Sequence, residues 1–150
     1  MLRKAEENHL QLHIWKKKEL ENYILTPQSI FKITKRPIEE YQKFRHELFT
    51  EIGKLKDQTL GCILDQFDHD FPNENPSTNL KKASAELEKR WDTLENRLSV
   101  CNGKDLISLI NEWIRQLYHL SSSRAKLLAA LSPDDISEEV KGIIELLIHK

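Results

Sequence analysis

The densest chemistry in this sequence lies within residues 13–25, where Lys16, Lys17 and Lys18 run directly into Glu19, Glu21 and Asn22. Ammonium groups neutralise phosphate, carboxylates hold divalent cations, and an amide can fix either by hydrogen bonding. Just upstream, Leu10, Leu12 and Ile14 alternate with Gln11 and His13, the period-two pattern of a short strand. Strand ends are where α/β folds present polar groups to ligands. A further cation, Lys104, follows the turn pair Asn102-Gly103 and opens an apolar-striped segment. The same residues also have plainer uses. Glu21 suits the first turn of a helix, Lys104 an exposed position after a turn, and the lysine run a solvated face.

Other reactive constellations fail on spacing. Gly103-Lys104 has Leu98 where a phosphate-binding loop needs glycine and Asp105 where it needs Ser or Thr. His46-Glu47 begins like a zinc-protease helix, but Thr50 stands in place of the second histidine. His9 and His13 have the spacing of a metal pair on a continuous helix, and the alternation after Leu10 breaks that helix. Asp65, Asp68, His69 and Asp70 crowd a helix C-terminus without calcium-loop spacing, so a solvated end is expected. Ser121, Ser122 and Ser123 lack the glycine elbow of a hydrolase nucleophile. Cys62 and Cys101 match no metal spacing and are expected as reduced thiols.

The elements that must position these residues are mostly helices. The chain has 150 residues, 39% hydrophobic and 31% charged, enough for one modest core. Thr26-Pro27 supplies a cap and a first helical position for a short helix. Pro37, with Glu39 and Glu40, starts a longer one whose stripe is Ile38, Tyr41, Phe44, Leu48, Ile52, Leu55, Ile63 and Phe67. About 30 residues of helix would span roughly 45 Å. The prolines and asparagines of residues 71–77 turn the chain, and Leu80, Ala83, Leu87, Trp91, Leu94 and Leu98 then form a heptad seam. Two such helices should pack antiparallel as an α-hairpin. Val100 and Cys101 are candidates for a short strand; Leu106, Leu109, Ile110, Trp113 and Leu117 mark a further helix, and Trp91 and Trp113 belong to the core. Helices through Leu131 and from about Ser137 complete the chain, the latter ending on His149 and Lys150 after the cap Ser132-Pro133-Asp134-Asp135. The fold class expected is mainly α: a long antiparallel hairpin, C-terminal helices and one or two short β-strands.

The formal net charge of -1 excludes a wholly electropositive DNA-coating body, so nucleic-acid contact must be local, at Lys16, Lys17 and Lys18 or at Lys32, Lys35 and Arg36. The apolar runs are far short of the roughly 20 residues that cross a bilayer. Met1 to Glu7 contains no apolar export segment. A cytoplasmic protein with no membrane partner is expected.

The string Lys18-Glu19-Leu20-Glu21-Asn22-Tyr23, followed by an apolar pair and Pro27, resembles the Arg/Lys-Glu-Ile/Leu-Glu-Asn-Tyr segment of TOPRIM domains in bacterial OLD-type (overcoming lysogenization defect) ATPase-nucleases of phage defence. Asn102-Gly103-Lys104-Asp105-Leu106 and the cap at Ser132 resemble the closing segment of the same proteins. The resemblance implies a partial TOPRIM-like edge over 1–36, a hairpin arm over 37–99 and a C-terminal helical segment over 100–150. It implies that Glu21, and more weakly Glu19, are magnesium-site carboxylates and that Lys104 meets the scissile phosphate. The chain lacks a P-loop and an Asp-x-Asp ahead of the Glu-Asn-Tyr string, and Asp68-His69-Asp70 comes after it. The expectation is therefore the C-terminal part of a metal-dependent endonuclease, inactive alone and completed by an ATPase-TOPRIM region or partner subunit. The alternative is a helical interaction module that recruits a partner or a second copy through the hairpin seam.

Overall fold

A computed structural model describes Glu19 and residues 21–148, apart from the side chains of 146–148. The lysine run, His9, His13, the strand expected around Leu10 and the cations His149 and Lys150 lie outside the described residues. Among the described residues the chain is mainly helical, with no strand and no helix long and apolar enough to cross a membrane.

Two short helices come first, α1 (Glu21–Ile24) and α2 (Pro27–Thr34). Helix α2 begins where the sequence predicts: Thr26 Oγ1 accepts from Ser29 N–H, Ser29 Oγ accepts from Thr26 N–H, and Pro27 takes the position that needs no donor. It ends at Lys35, which turns into the left-handed region at φ 57°.

The long helix expected after Pro37 runs in pieces. A 3-10 turn (Ile38–Glu40) leads into α3 (Tyr41–Ile52), and a second 3-10 turn (Gly53–Leu55) passes into α4 (Lys56–Asp70). Phe44, Leu48 and Ile52 on its stripe are fully buried, whereas Ile38 is 70% exposed because it precedes the α-helical period. After the turn at residues 71–75, Asn75 caps α5 (Pro76–Lys89). The seam helix then departs from expectation: it breaks at residues 90–93 and resumes as α6 (Leu94–Val100). The break is well satisfied. Thr93 Oγ1 accepts from Asn96 N–H, and the Arg97 guanidinium donates to the carbonyls of Trp91 and Phe49. Helix α4 pairs with α5 and α3 with α6, so the antiparallel hairpin forms.

The short strand expected at Val100-Cys101 is absent. Val100 closes α6, and Cys101 donates its N–H back to Arg97 with no strand beside it. Next come α7 (Gly103–Tyr118), α8 (Arg124–Ala130), a 3-10 turn (Pro133–Asp135) and α9 (Glu138–Ile148). Helix α3 packs on α2 and α7, α1 packs on α6, α7 and α8, and α2 packs on α8. The hairpin thus shares one core with its flanking segments at its root, and Phe31, Phe44 and Trp113 form an aromatic stack there with centroids 5.1 and 5.7 Å apart. Each such ring removed from water stabilises the fold by about 2–3 kcal/mol. Trp91 and Trp113 are core residues, each 6% exposed.

Candidate functional site

The residues singled out for chemistry converge on the junction between α6 and the start of α7. Asn22 is fully buried there, its Nδ2 donating to the carbonyls of Leu98 at 2.7 Å and Cys101 at 3.1 Å. Its Oδ1 accepts from the Glu19 N–H, which fixes the turn that leads into α1. Glu19 reaches back across the junction: Oε1 accepts from Asn102 Nδ2 at 2.6 Å and Oε2 from Gly103 N–H at 3.0 Å. Asn102 Oδ1 in turn accepts from the N–H groups of Lys104 and Asp105. The donors that a helix leaves orphaned at its start are therefore filled by side chains, and a carboxylate suits the positive end of the dipole.

Gly103 makes the approach possible. A Cβ there would lie 2.7 Å from Glu21 Cβ and 3.0 Å from Glu19 Oε2, a separation real atoms do not adopt. Glu21 consequently sits directly against the residue that precedes Lys104, and Lys104 itself is exposed. Glu21 Oε1 also accepts from Arg124 Nη2 at 2.7 Å. The Tyr23 hydroxyl bonds the Glu139 carboxylate, tying α1 to α9. On the other flank Gln58 Nε2 donates to Asp105 Oδ2 at 2.7 Å, and a narrow crevice lined by Leu55, Thr59 and Cys62 lies between α4 and α7. Cys62 and Cys101 are both free thiols.

Glu19 and Glu21 thus meet the helix start that carries Lys104, from a distant part of the chain. Arg124 is the member that sequence reasoning missed. Its one signal was a cation at the first position of a helix, where the dipole disfavours it. In the second basic run Lys32 and Arg36 are taken up in ordinary contacts, and Lys35 is an exposed helix cap. Lys32 bonds Asp135 at 2.9 Å and the Ala130 carbonyl, while Arg36 bonds Glu40, Glu47 and the Tyr118 hydroxyl. Burial works against the charge on Arg36, but the Glu47 and Glu40 carboxylates outweigh it and raise its pKa. At the far end of the hairpin, Asp68 accepts from Asn79 and Asp70 from Gln66.

A magnesium ion finds only part of a ligand set here. Both Glu19 oxygens are engaged, one Glu21 oxygen is held by Arg124, and no three His, Cys, Asp or Glu side chains among the described residues are grouped to hold a metal. Of the two acids, Glu21 is the better placed to contribute. No family model matches the chain, and no curated protein and no solved structure matches it.

Proposed function

We propose that this chain is the C-terminal, mostly helical portion of an OLD-like ATPase-TOPRIM nuclease, lending Glu21 and Lys104 to a magnesium-dependent DNA-cleavage centre completed by an ATPase-TOPRIM region or partner subunit. One observation carries the reading. The two stretches that bear the resemblance meet directly, through Glu19 to Asn102 and Gly103 and through Asn22 to the end of α6. Unrelated surface motifs have no reason to share one helix start.

Phosphodiester hydrolysis needs a charge to offset the developing oxyanion, and an exposed ammonium at the opening of α7, the positive end of that helix, supplies one. Magnesium, when bound, activates water and offsets charge on the phosphate. Glu21 would be one of its ligands, and Glu19 fixes the loop that carries Glu21.

The test is reconstitution. The chain alone, incubated with supercoiled plasmid and Mg²⁺ or Mn²⁺, should leave the plasmid intact. Joined to an ATPase-TOPRIM region of an OLD-type nuclease, it should cleave, and Lys104→Ala should slow cleavage on the order of a hundredfold or more. Cleavage by the chain alone, or a joined enzyme indifferent to both Lys104→Ala and Glu21→Gln, would reject the reading. For the alternative of a seam-based interaction module, Leu80 is the seam residue left accessible, at 44% exposure, while Ala83, Leu87, Trp91, Leu94 and Leu98 are buried within the chain's own core or hairpin.

A further inference from the structure

The cations of this molecule differ sharply in how they are used. Arg36 has a side chain only 10% exposed and shares its donors among two carboxylates and a hydroxyl. Arg97 lies over the rings of Phe49 and Trp91 and holds two carbonyls. Both are structural. Arg124 differs from them: its side chain is 58% exposed, and its bond to Glu21 Oε1 at 2.7 Å occupies one of the five N–H donors that a guanidinium carries.

Its position is nonetheless well defined. Arg124 opens α8 one turn before Leu127, which is fully buried, and α8 packs on α1 and α2. The carboxylate it meets belongs to Glu21, whose Cβ lies against Gly103 and so beside Lys104. Arg124 thus pairs with a carboxylate whose residue packs on the backbone just before the exposed Lys104. Local stability does not call for the arrangement, because Arg124 stands at the positive end of α8 and a half-exposed ion pair contributes little.

We propose that Arg124 is a second phosphate-contacting cation of this site, held in place by Glu21 and acting with Lys104 on the DNA backbone. The inference rests on the nuclease reading and deepens it by naming a residue that carries substrate binding. A guanidinium fork fits two phosphate oxygens at once, so Glu21 can orient Arg124 through one donor while others meet the phosphate.

Fluorescence anisotropy of the full chain with a labelled short DNA duplex, measured over a salt series, tests this. Removing one phosphate contact should lower the slope of log affinity against log salt by about 0.9 and weaken binding roughly tenfold near 0.1 M salt. Arg124→Gln should show both effects, and Arg124→Lys, which keeps the charge, should preserve the slope. Arg115→Gln is the control. That residue is 70% exposed at the other end of α7, about 18 Å along the helix, and should change neither quantity. Thermal unfolding of Arg124→Gln should stay within about 4 °C of the parent, so that lost binding is not lost fold. If Lys104→Gln lowers the slope and Arg124→Gln does not, the inference fails while the nuclease reading stands. If the unmodified chain shows no salt-dependent binding at low salt, the inference fails, and the nuclease reading is decided by the reconstitution alone.

Discussion

Gly103 has no room for a methyl group, because the Cβ of Glu21 already occupies the space 2.7 Å from where it would lie. Backbone cannot give way cheaply on either side, since Glu19 and Asn102 pin the same turn from opposite directions. Gly103→Ala should therefore cost about 1–3 kcal/mol, read as a lower urea midpoint at unchanged slope. An unchanged midpoint would mean that the contact between α1 and α7 is loose. Asn22→Leu probes the same junction from the other side. It strands the carbonyls of Leu98 and Cys101 in the interior and should cost about 1–3 kcal/mol for each one left without a donor. Glu21 and Lys104 were legible in the sequence because short strings of polar residues carried them. The acceptors of Asn22 were not, because a backbone carbonyl has no sequence signature. Arg124 was missed for a related reason: its partner lies in a distant segment that only the packing of α8 on α1 brings near.

At the scale of elements, boundaries fixed by local chemistry were legible and those fixed by tertiary contacts were not. Thr26-Pro27 and Ser132-Pro133 start helical turns as their caps predict, and the turn expected over residues 71–77 leads into α5 at the Asn75 cap. The break at residues 90–93 leaves no mark on the sequence pattern because Trp91 within it and Leu87 and Leu94 on either side stay buried and keep the three-four rhythm intact. What stabilises the break is Arg97 reaching the Phe49 carbonyl on the facing helix, a contact no periodicity encodes. The Thr93 cap is the local part, and Thr93→Ala should cost about 1 kcal/mol in chemical denaturation. A titratable counterpart holds the link between α8 and α9. Burial raises the pKa of the Asp135 carboxyl, but the Ser132 N–H and the Lys32 ammonium outweigh it and leave it below its ordinary 3.8. A depressed carboxyl pKa contributes stability that is present above the unfolded value and is lost as pH falls through the folded one. The parent chain should thus lose this contribution only below about pH 3.8, and Asp135→Asn should show a flatter stability profile across that window. Equal acid sensitivity in the two proteins would place the linkage elsewhere.

Over the whole molecule the hairpin has two unequal halves, and the difference decides how firmly the site is held. Its root, α3 with α6, lies in the core against α2 and α7, with Phe44, Leu48 and Ile52 fully buried. Its far half, α4 with α5, has Phe67 stacked on a Phe71 that is 43% exposed, and Leu80 is 44% exposed. The carboxylates, Asn22 and Gly103 all attach to the root half, through the end of α6 and the start of α7. The first turns of α4 still touch the start of α7 through Gln58, so it is local opening of the tip near residues 66–80 that should leave the site intact, whereas opening of the site requires breaking the core. Native-state hydrogen exchange should then find the amides of Cys101 and Leu106 exchanging only through global unfolding, and those near residues 66–80 exchanging through smaller openings. Leu48→Ala, which leaves a cavity in a fully buried position, should cost about 2–5 kcal/mol and speed exchange at both places. Phe67→Ala removes a partly exposed ring and should speed exchange in the far half alone. Acceleration of the Cys101 and Leu106 amides by Phe67→Ala would mean that the hairpin moves as one lever, and that whatever binds its far end can reach Glu21 and Lys104 through the backbone.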